Sequence, residues 1–240
     1  MTLGRTAPIE TAAHRPWTRL DDEQNLLLSA LPKEDLDRLR PRLEQVSLPL
    51  GMTIYEANAP ITHVYFVRAG IVSMVSTMRE GTVEVGTVGC EGMTGIAIVL
   101  HADSMPTRAF VQVAGEAVRI SAGQLHAAMR ESRALERVLS RYALALFDQA
   151  AQSAACNRLH TLEERCARWL LMTHDRVRDD VLPLKQTFLA EMLGVHRPAV
   201  TVAAGTLQRA GIISYTRGKV RIVDRTALEA AACDCYAITR

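Results

Sequence analysis

The sequence of 240 residues predicts an α+β protein with an N-terminal β-roll, one long helix and a C-terminal module of helices and a hairpin. Three patterns support this fold class. Residues 46–120 contain short β-branched and aromatic runs punctuated by glycine, which is typical of a jelly roll. Residues 133–157 lack Gly and Pro and repeat apolar residues at helical spacing. Residues 184–223 indicate two short helices, a tight turn and two strands.

Composition and length place the chain among ordinary globular proteins. Hydrophobic residues make up 48% and charged residues 22% of it. The first twenty residues contain no apolar run of signal-peptide length, and no segment approaches the roughly 20 apolar residues of a membrane-spanning helix. We therefore expect a soluble, cytoplasmic protein without a membrane partner. The expected segments are a flexible start at 1–22, a β-roll domain at 23–130, the long helix at 131–158, the helical module at 159–228 and a tail at 229–240.

The five cysteines are an odd and scattered set, so they do not describe a disulfide framework. Most are expected to be small buried hydrophobic residues. Cys233 and Cys235 form a C-x-C pair, which leaves open a redox or metal-binding role. The sequence shows no second pair and no nearby histidine, and the alternative is an inert, exposed helix end. We accordingly predict no metal site.

The N-terminal part is predicted to hold two short helices and then the strands. The helices span Asn25–Leu43 and are separated by Pro32. Six strands are predicted, at 53–55, 63–67, 71–75, 83–85, 109–113 and 117–120.

The C-terminal module has the spacing of a helix-turn-helix. The first helix is predicted at Thr187–Met192 and the second at Arg197–Arg209. Gly194 lies in the turn between them, where a positive φ costs glycine little. Val200 and Leu207 are placed to pack against the first helix. The second helix of such a motif can enter the DNA major groove.

The charge of this module favours phosphate binding. Residues 183–223 contain six basic residues and one acid, for a net +5, although the whole chain carries only +2. The strand patterns 212–215 and 220–223 flank a turn that carries Arg217 and Lys219, which predicts a basic wing. The alternative is a pair of surface helices and a hairpin in some other α+β domain.

The long helix carries an apolar seam at steps of four and three. Leu135, Leu139, Tyr142 and Leu146 form its first half, and smaller or polar residues form its second. Such a seam fits either a coiled coil between two copies of the chain or a helix packed on its own β-roll. After the seam, Thr161 and Glu164 form a capping-box pattern that opens another helix.

Taken together, these motifs resemble the Crp/Fnr family of bacterial transcription regulators. The resemblance covers roughly residues 25–225 and rests on Gly51, the segments 64–70 and 86–95, Arg108 with Ala109, and the winged module after the long helix. It implies a domain similar to cyclic-nucleotide-binding domains, a homodimer joined along the long helix, and double-stranded DNA and RNA polymerase as partners. Two recognition helices would lie about 34 Å apart, so the operator should be palindromic.

The effector site that the resemblance implies is incomplete. Its loop matches Gly92, Thr94 and Gly95, and Arg108 stands where the family has an arginine for a cyclic phosphate. Ile96 stands where cAMP-binding members have a glutamate for the ribose. The loss of that charge-assisted hydrogen bond, worth ~1.5–3 kcal/mol, weakens the case for cAMP but leaves another small effector, or none, open.

Other cofactors and enzymatic activity are not indicated. No cysteine precedes Cys90, whereas relatives with an iron–sulfur cluster use N-terminal cysteines. His63 and His126 show no ligand spacing for haem. The sequence contains no nucleophile–base arrangement and no phosphate-cradling loop, so we do not expect an enzyme.

The expected DNA contacts come from the second helix and the wing. His196, Arg197, Pro198 and Thr201 stand near the N-terminus of the second helix. Well-known family members have a glutamate at the position of Pro198 and an arginine at the position of Val202, so a different half-site sequence is expected. Three further residues are expected to position the DNA backbone, namely Thr187, Arg217 and Lys219.

The resulting hypothesis is a homodimeric, sequence-specific DNA-binding regulator. A signal at the divergent β-roll would shift the long helices and thereby the recognition helices. The alternative is a ligand-binding signalling module whose winged helix mediates protein contacts. Salt dependence separates the two, because neutralising phosphates makes binding strongly sensitive to salt.

Overall fold

A computed structural model describes residues 25–177 and 179–239. The flexible start expected at residues 1–22 lies outside the described residues. The predicted fold class is confirmed, because the chain forms an antiparallel β-roll, a long helix and a winged helix-turn-helix in that order.

The N-terminal domain is built on a five-stranded antiparallel sheet. Strand β5 is central to its order, β1-β5-β3-β4, and also pairs with β2. The strands are β1 (Glu44–Leu48), β2 (Thr53–Tyr55), β3 (His63–Met78), β4 (Gly81–Val88) and β5 (Arg108–Ser121).

Two glycines explain why β3 and β5 are longer than the predicted strands. The predicted runs 63–67 and 71–75 are one continuous strand, and so are 109–113 and 117–120. Gly70 has a φ of 87° and lies where the pairing of β3 with β5 shifts register. A Cβ atom on Gly115 would lie 2.0 Å from the carbonyl oxygen of Ala69. Glycine therefore lets the paired strands bend closely together without ending.

Short helices close the β-roll. Pro32 separates the first two helices as predicted, and the buried segment 96–99 forms a helical turn. These helices are α1 (Leu26–Ser29), α2 (Lys33–Leu39), α3 (Ile96–Val99) and α4 (Ala122–Glu131).

The long helix α5 (Arg133–Leu159) packs its apolar seam on its own β-roll. Leu135, Leu139 and Tyr142 are buried in the β-roll core, and Leu146 packs partly against it. The prediction that these side chains face a second copy is therefore wrong for the three buried residues, because their own protomer already covers them. A different face of the helix is open, on which Leu144 is 60% and Phe147 69% exposed.

The C-terminal domain begins with α6 (Leu162–Val177), opened by the predicted capping box: Thr161 N donates to Glu164 Oε2 at 2.8 Å. A three-stranded sheet of order β6-β8-β7 packs beside the helices. After α6, the C-terminal domain contains β6 (Val181–Pro183), α7 (Gln186–Leu193), α8 (Arg197–Arg209), β7 (Ile213–Thr216), β8 (Lys219–Ile222) and α9 (Arg225–Ala231).

The C-terminus is not the tail that the sequence predicts at 229–240. Helix α10 (Cys235–Thr239) packs against α5 and α6. Cys233, Cys235 and Tyr236 are buried, which also contradicts the expectation of an exposed, inert helix end. Within residues 25–177 and 179–239, none of the helices combines the length and apolar character that a membrane crossing requires.

Candidate DNA-binding surface

The turn between α7 and α8 sets the geometry of the surface. Gly194 ends α7 with a φ of 64°, and its N–H donates to Glu191 O at 3.1 Å. This left-handed conformation closes a helix at little cost only with glycine. Val200 and Leu207 of α8 are buried in one cluster with Leu189 and Leu193 of α7, so the predicted packing is confirmed.

The opposite face of α8 is open to solvent. His196 precedes the helix in extended conformation, and Pro198 occupies its first turn, where a missing N–H breaks no helical hydrogen bond. His196, Arg197, Pro198 and Thr201 are all exposed, so the structure brings the predicted recognition residues together at one helix end.

The wing places two more basic residues beside this helix. Arg217 and Gly218 both have positive φ, at 48° and 76°, which forms the tight two-residue turn between β7 and β8. Leu184 N donates to Gly218 O at 2.8 Å and so attaches the wing to the segment that leads into α7. Arg217, Lys219 and Thr187 are exposed, and their role at the DNA backbone stays a prediction.

The basic side chains of this surface are free to bind an anion. Among the described residues, the side chains of Arg197, Arg217 and Lys219 have no hydrogen-bond or ion-pair partner. A phosphate or a guanine edge would therefore not have to displace an existing partner.

Sequence reasoning missed Gln186 at the start of α7. The Thr201 hydroxyl lies 3.0 Å from Gln186 Oε1 and 3.1 Å from the carbonyl oxygen of Arg197. Gln186 thus belongs to the same polar patch as the recognition helix. Its position beside Thr187 at a helix start was the available signal.

Three of the predicted effector residues, Gly92, Thr94 and Gly95, are buried in a packed loop. Tyr142 Oη donates to Met93 O at 3.1 Å, and a Cβ atom on Gly92 would lie 2.1 Å from that hydroxyl. Thr94 is fully buried, and Gly95 has a φ of 78°. The glycine-rich loop therefore packs against α5 and β3.

Arg108 makes its contacts elsewhere in the β-roll. Its Nη2 donates to Thr53 Oγ1 at 3.2 Å, and its Nε lies 3.6 Å from Glu56 Oε2. The guanidinium also lies 5.2 Å from the centre of the Phe110 ring. A cyclic phosphate at Arg108 would have to compete with the Glu56 carboxylate.

Contacts between the two domains join the β-roll to the helix-turn-helix. Trp169 Nε1 donates to Glu84 Oε1 at 2.8 Å, and Arg176 forms an ion pair with Glu91 at 2.8 Å. The enclosure of the Glu84 carboxylate raises its pKa to about 7, although hydrogen bonds from Ser73 and Trp169 oppose the shift. Glu84 is therefore titratable near neutral pH.

Family models match both domains of this structure. The model of the cyclic nucleotide-binding domain matches residues 45–132, and that of the Crp-like helix-turn-helix domain matches residues 164–231. A cyclic nucleotide-binding domain followed by a Crp-like helix-turn-helix domain defines a class of transcription regulators rather than enzymes. The chain belongs to the Crp/Fnr family of these regulators.

Solved structures support the same fold. A protein described as a regulator of the Crp/Fnr family from Eubacterium rectale is 18% identical, with a TM-score of 0.70 over 87% of this chain and 98% of that one. FixK2 from Bradyrhizobium japonicum is 17% identical, with a TM-score of 0.65 over 80% and 98%. The c-di-GMP-responsive regulator CLP from Xanthomonas campestris is 14% identical, with a TM-score of 0.66 over 80% and 99%. No curated protein matches the sequence.

Proposed function

We propose that the protein is a homodimeric transcription regulator that recognises a palindromic operator. The observation that carries this proposal is the exposed end of α8, where Arg197 has no side-chain partner among the described residues and lies beside His196, Pro198 and Thr201. An arginine at the N-terminal end of a recognition helix can donate two hydrogen bonds to O6 and N7 of a guanine. The wing supports the proposal, since Arg217 and Lys219 are suited to adjacent phosphates.

The face of α5 that supports a homodimer is the exposed one. Leu144, Phe147, Ala151 and Ala154 are spaced by three, four and three residues, and all are exposed. We call this set the exposed stripe. Its spacing is that of a coiled-coil seam, and its small residues allow two helices to approach closely. A twofold axis along the stripe would present two recognition helices to one face of DNA.

The domain interface supports a route by which a signal at the β-roll changes DNA binding. Glu84 and Glu91 of the β-roll bind Trp169 and Arg176 of the C-terminal domain. A change in the β-roll that weakens these contacts would release the C-terminal domain from its position. The proposed signal is not cAMP, because Tyr142 packs against the loop and Arg108 is paired with Glu56. An interaction with RNA polymerase stays a prediction.

Selection of bound fragments from a random DNA library, with purified protein and no added ligand, tests the proposal. We expect enrichment of a palindrome whose half-sites lie one helical turn apart. Arg197→Ala should abolish the enrichment. Arg130→Ala, which removes another exposed arginine on α4, should preserve it.

Two other results would contradict the proposal. If no sequence is enriched with or without candidate ligands, the winged helix is not a sequence reader. If the winged helix instead binds a protein partner, and this binding depends little on salt concentration, the signalling module is favoured.

A further inference from the structure

Four potential metal ligands converge where the long helix meets the C-terminal segment. They are Cys156, His160, Cys233 and Cys235, and one ligand atom from each lies within 4.8 Å of the other three. Cys156 Sγ and Cys233 Sγ are 3.5 Å apart, and Cys235 Sγ lies 3.4 Å from His160 Nδ1. We call these residues the ligand cluster. The family models match residues 45–132 and 164–231, so the cluster lies outside both.

The fold explains why these residues meet. Cys156 lies in the last turn of α5 and His160 caps its C-terminus, where His160 N donates to Cys156 O at 3.1 Å. Cys233 lies between α9 and α10, Cys235 is the first residue of α10, and α10 packs against α5. The three cysteines are buried together, and His160 is half-buried. Two distant pieces of sequence thus contribute two ligands each.

The distances suit a single tetrahedral ion. With Zn–S bonds of ~2.3 Å and Zn–N bonds of ~2.0–2.1 Å, tetrahedral geometry separates two sulfurs by about 3.8 Å and a sulfur from a nitrogen by about 3.5 Å. The measured contacts of 3.5 and 3.4 Å are close to these values. A cluster of several iron atoms would hold its ligands further apart.

Polar and cationic side chains surround the ligand cluster. Gln152 Nε2 donates to Cys235 Sγ at 3.0 Å, which is a typical contact of a metal-bound sulfur. Arg168 and Arg165 line a cavity of about 40 Å³ together with Cys156. Arg168 Nη1 is buried and has no hydrogen-bond partner among the described residues. Three thiolates and one Zn²⁺ carry a net charge of −1, which a nearby arginine would balance.

We propose that Cys156, His160, Cys233 and Cys235 bind one structural zinc ion. The ion fastens the C-terminal segment to the last turn of α5, next to the start of α6. All four positions of the tetrahedron are filled by protein, so the site is closed and structural. It holds the C-terminal domain in one orientation relative to the long helix.

Metal analysis of the full-length chain, expressed with zinc and without a histidine tag, tests the proposal. After gel filtration, elemental analysis by inductively coupled plasma mass spectrometry should find about one zinc per chain. Cys156→Ser and Cys235→Ser should lose at least most of it. Cys166→Ser, at a buried cysteine of α6 outside the ligand cluster, is the matched control and should retain the zinc.

Two measurements on the unaltered chain keep the test independent of the folding of the variants. Cobalt in place of zinc should produce the absorption of a tetrahedral ion with thiolate-to-metal charge transfer. Removal of zinc with a chelator should lower the unfolding temperature, and returned zinc should restore it. The absence of bound metal would overturn the proposal, and so would bound iron. A chain mass lower by two hydrogens, caused by a disulfide between Cys156 and Cys233, would also overturn it.

Discussion

Trp169 Nε1 of the C-terminal domain donates a 2.8 Å hydrogen bond to Glu84 Oε1 of the β-roll. The other carboxylate oxygen of Glu84 lies 2.7 Å from Ser73 Oγ, and that hydroxyl also lies 2.5 Å from Gln112 Oε1. One hydroxyl proton cannot serve both acceptors. When Glu84 is protonated, it can donate to Ser73 while Ser73 donates to Gln112. When Glu84 is ionised, Ser73 can donate to it instead, which opposes the rise in pKa that burial causes.

The first prediction concerns the pH dependence of folding. Burial raises the pKa of Glu84 from 4.5 to about 7, so between these pH values the folded chain retains a proton that the unfolded chain has lost. Stability from this group is fully present below about pH 4.5 and is lost as pH rises through 7, by on the order of 1–3 kcal/mol. Glu84→Gln should remove this part of the pH profile in urea unfolding.

The matched control for this prediction is Glu136→Gln, at an exposed position of α5. Its profile should follow that of the unaltered chain. If Glu84→Gln leaves the slope between pH 5 and 7 unchanged, Glu84 is ionised in the folded chain and the proposed proton network is wrong.

The second prediction separates base contacts from phosphate contacts. Arg197→Ala should cost ~1–3 kcal/mol of binding per half-site of the selected operator, with a smaller loss on random DNA. Arg217→Ala should weaken binding to both and reduce the salt slope by about 0.9 per protomer, or about 1.8 for the dimer. Titration at several salt concentrations measures both effects. An equal loss on both DNAs for Arg197→Ala would make Arg197 a phosphate contact.

The third prediction concerns the two faces of α5. Phe147→Asp places a charge on the exposed stripe and should give folded monomers. Leu139→Asp places a charge in the β-roll core, where Leu139 is fully buried, and should instead unfold the domain. Sedimentation combined with circular dichroism distinguishes these results. A dimer that survives Phe147→Asp would exclude the exposed stripe as the seam.

The fourth prediction is that cAMP does not stabilise the protein. A ligand at 100 times its dissociation constant adds about 2.7 kcal/mol to stability. We expect no such rise in the unfolding temperature, because Tyr142 packs against Gly92 and Glu56 pairs with Arg108. Thermal unfolding with millimolar cAMP measures this, with AMP as the control nucleotide. A rise with cAMP alone would show that the β-roll opens to bind it.

Features that depend on neighbouring residues were predictable from the sequence. Gly194 marked the turn of the helix-turn-helix, and helix α8 begins and ends at the predicted residues, Arg197–Arg209. The capping box at Thr161 is also present as predicted. Positive φ, helix capping and periodicity each depend on only a few residues that are close in sequence.

At the effector residues, the family pattern did not predict which side chains surround the loop. The loop at Gly92 has the expected glycines, but the space beside it is taken by Tyr142, which lies 50 residues further along the chain. A motif describes the backbone of a site, whereas the side chains that fill the site come from other elements.

The sequence by itself determined the order of the domains, the helix-turn-helix, the basic wing and the presence of an apolar seam on α5. Only the tertiary structure decided that Leu139 faces the β-roll while Phe147 faces solvent. The sequence could not separate the two faces of α5, because each carries apolar residues at helical spacing. It also decided that Cys156 meets Cys233, since a contact across 77 residues depends on how α10 packs against α5. Short stretches of sequence determine local backbone geometry. Burial and long-range contacts depend on how separate helices and strands pack together.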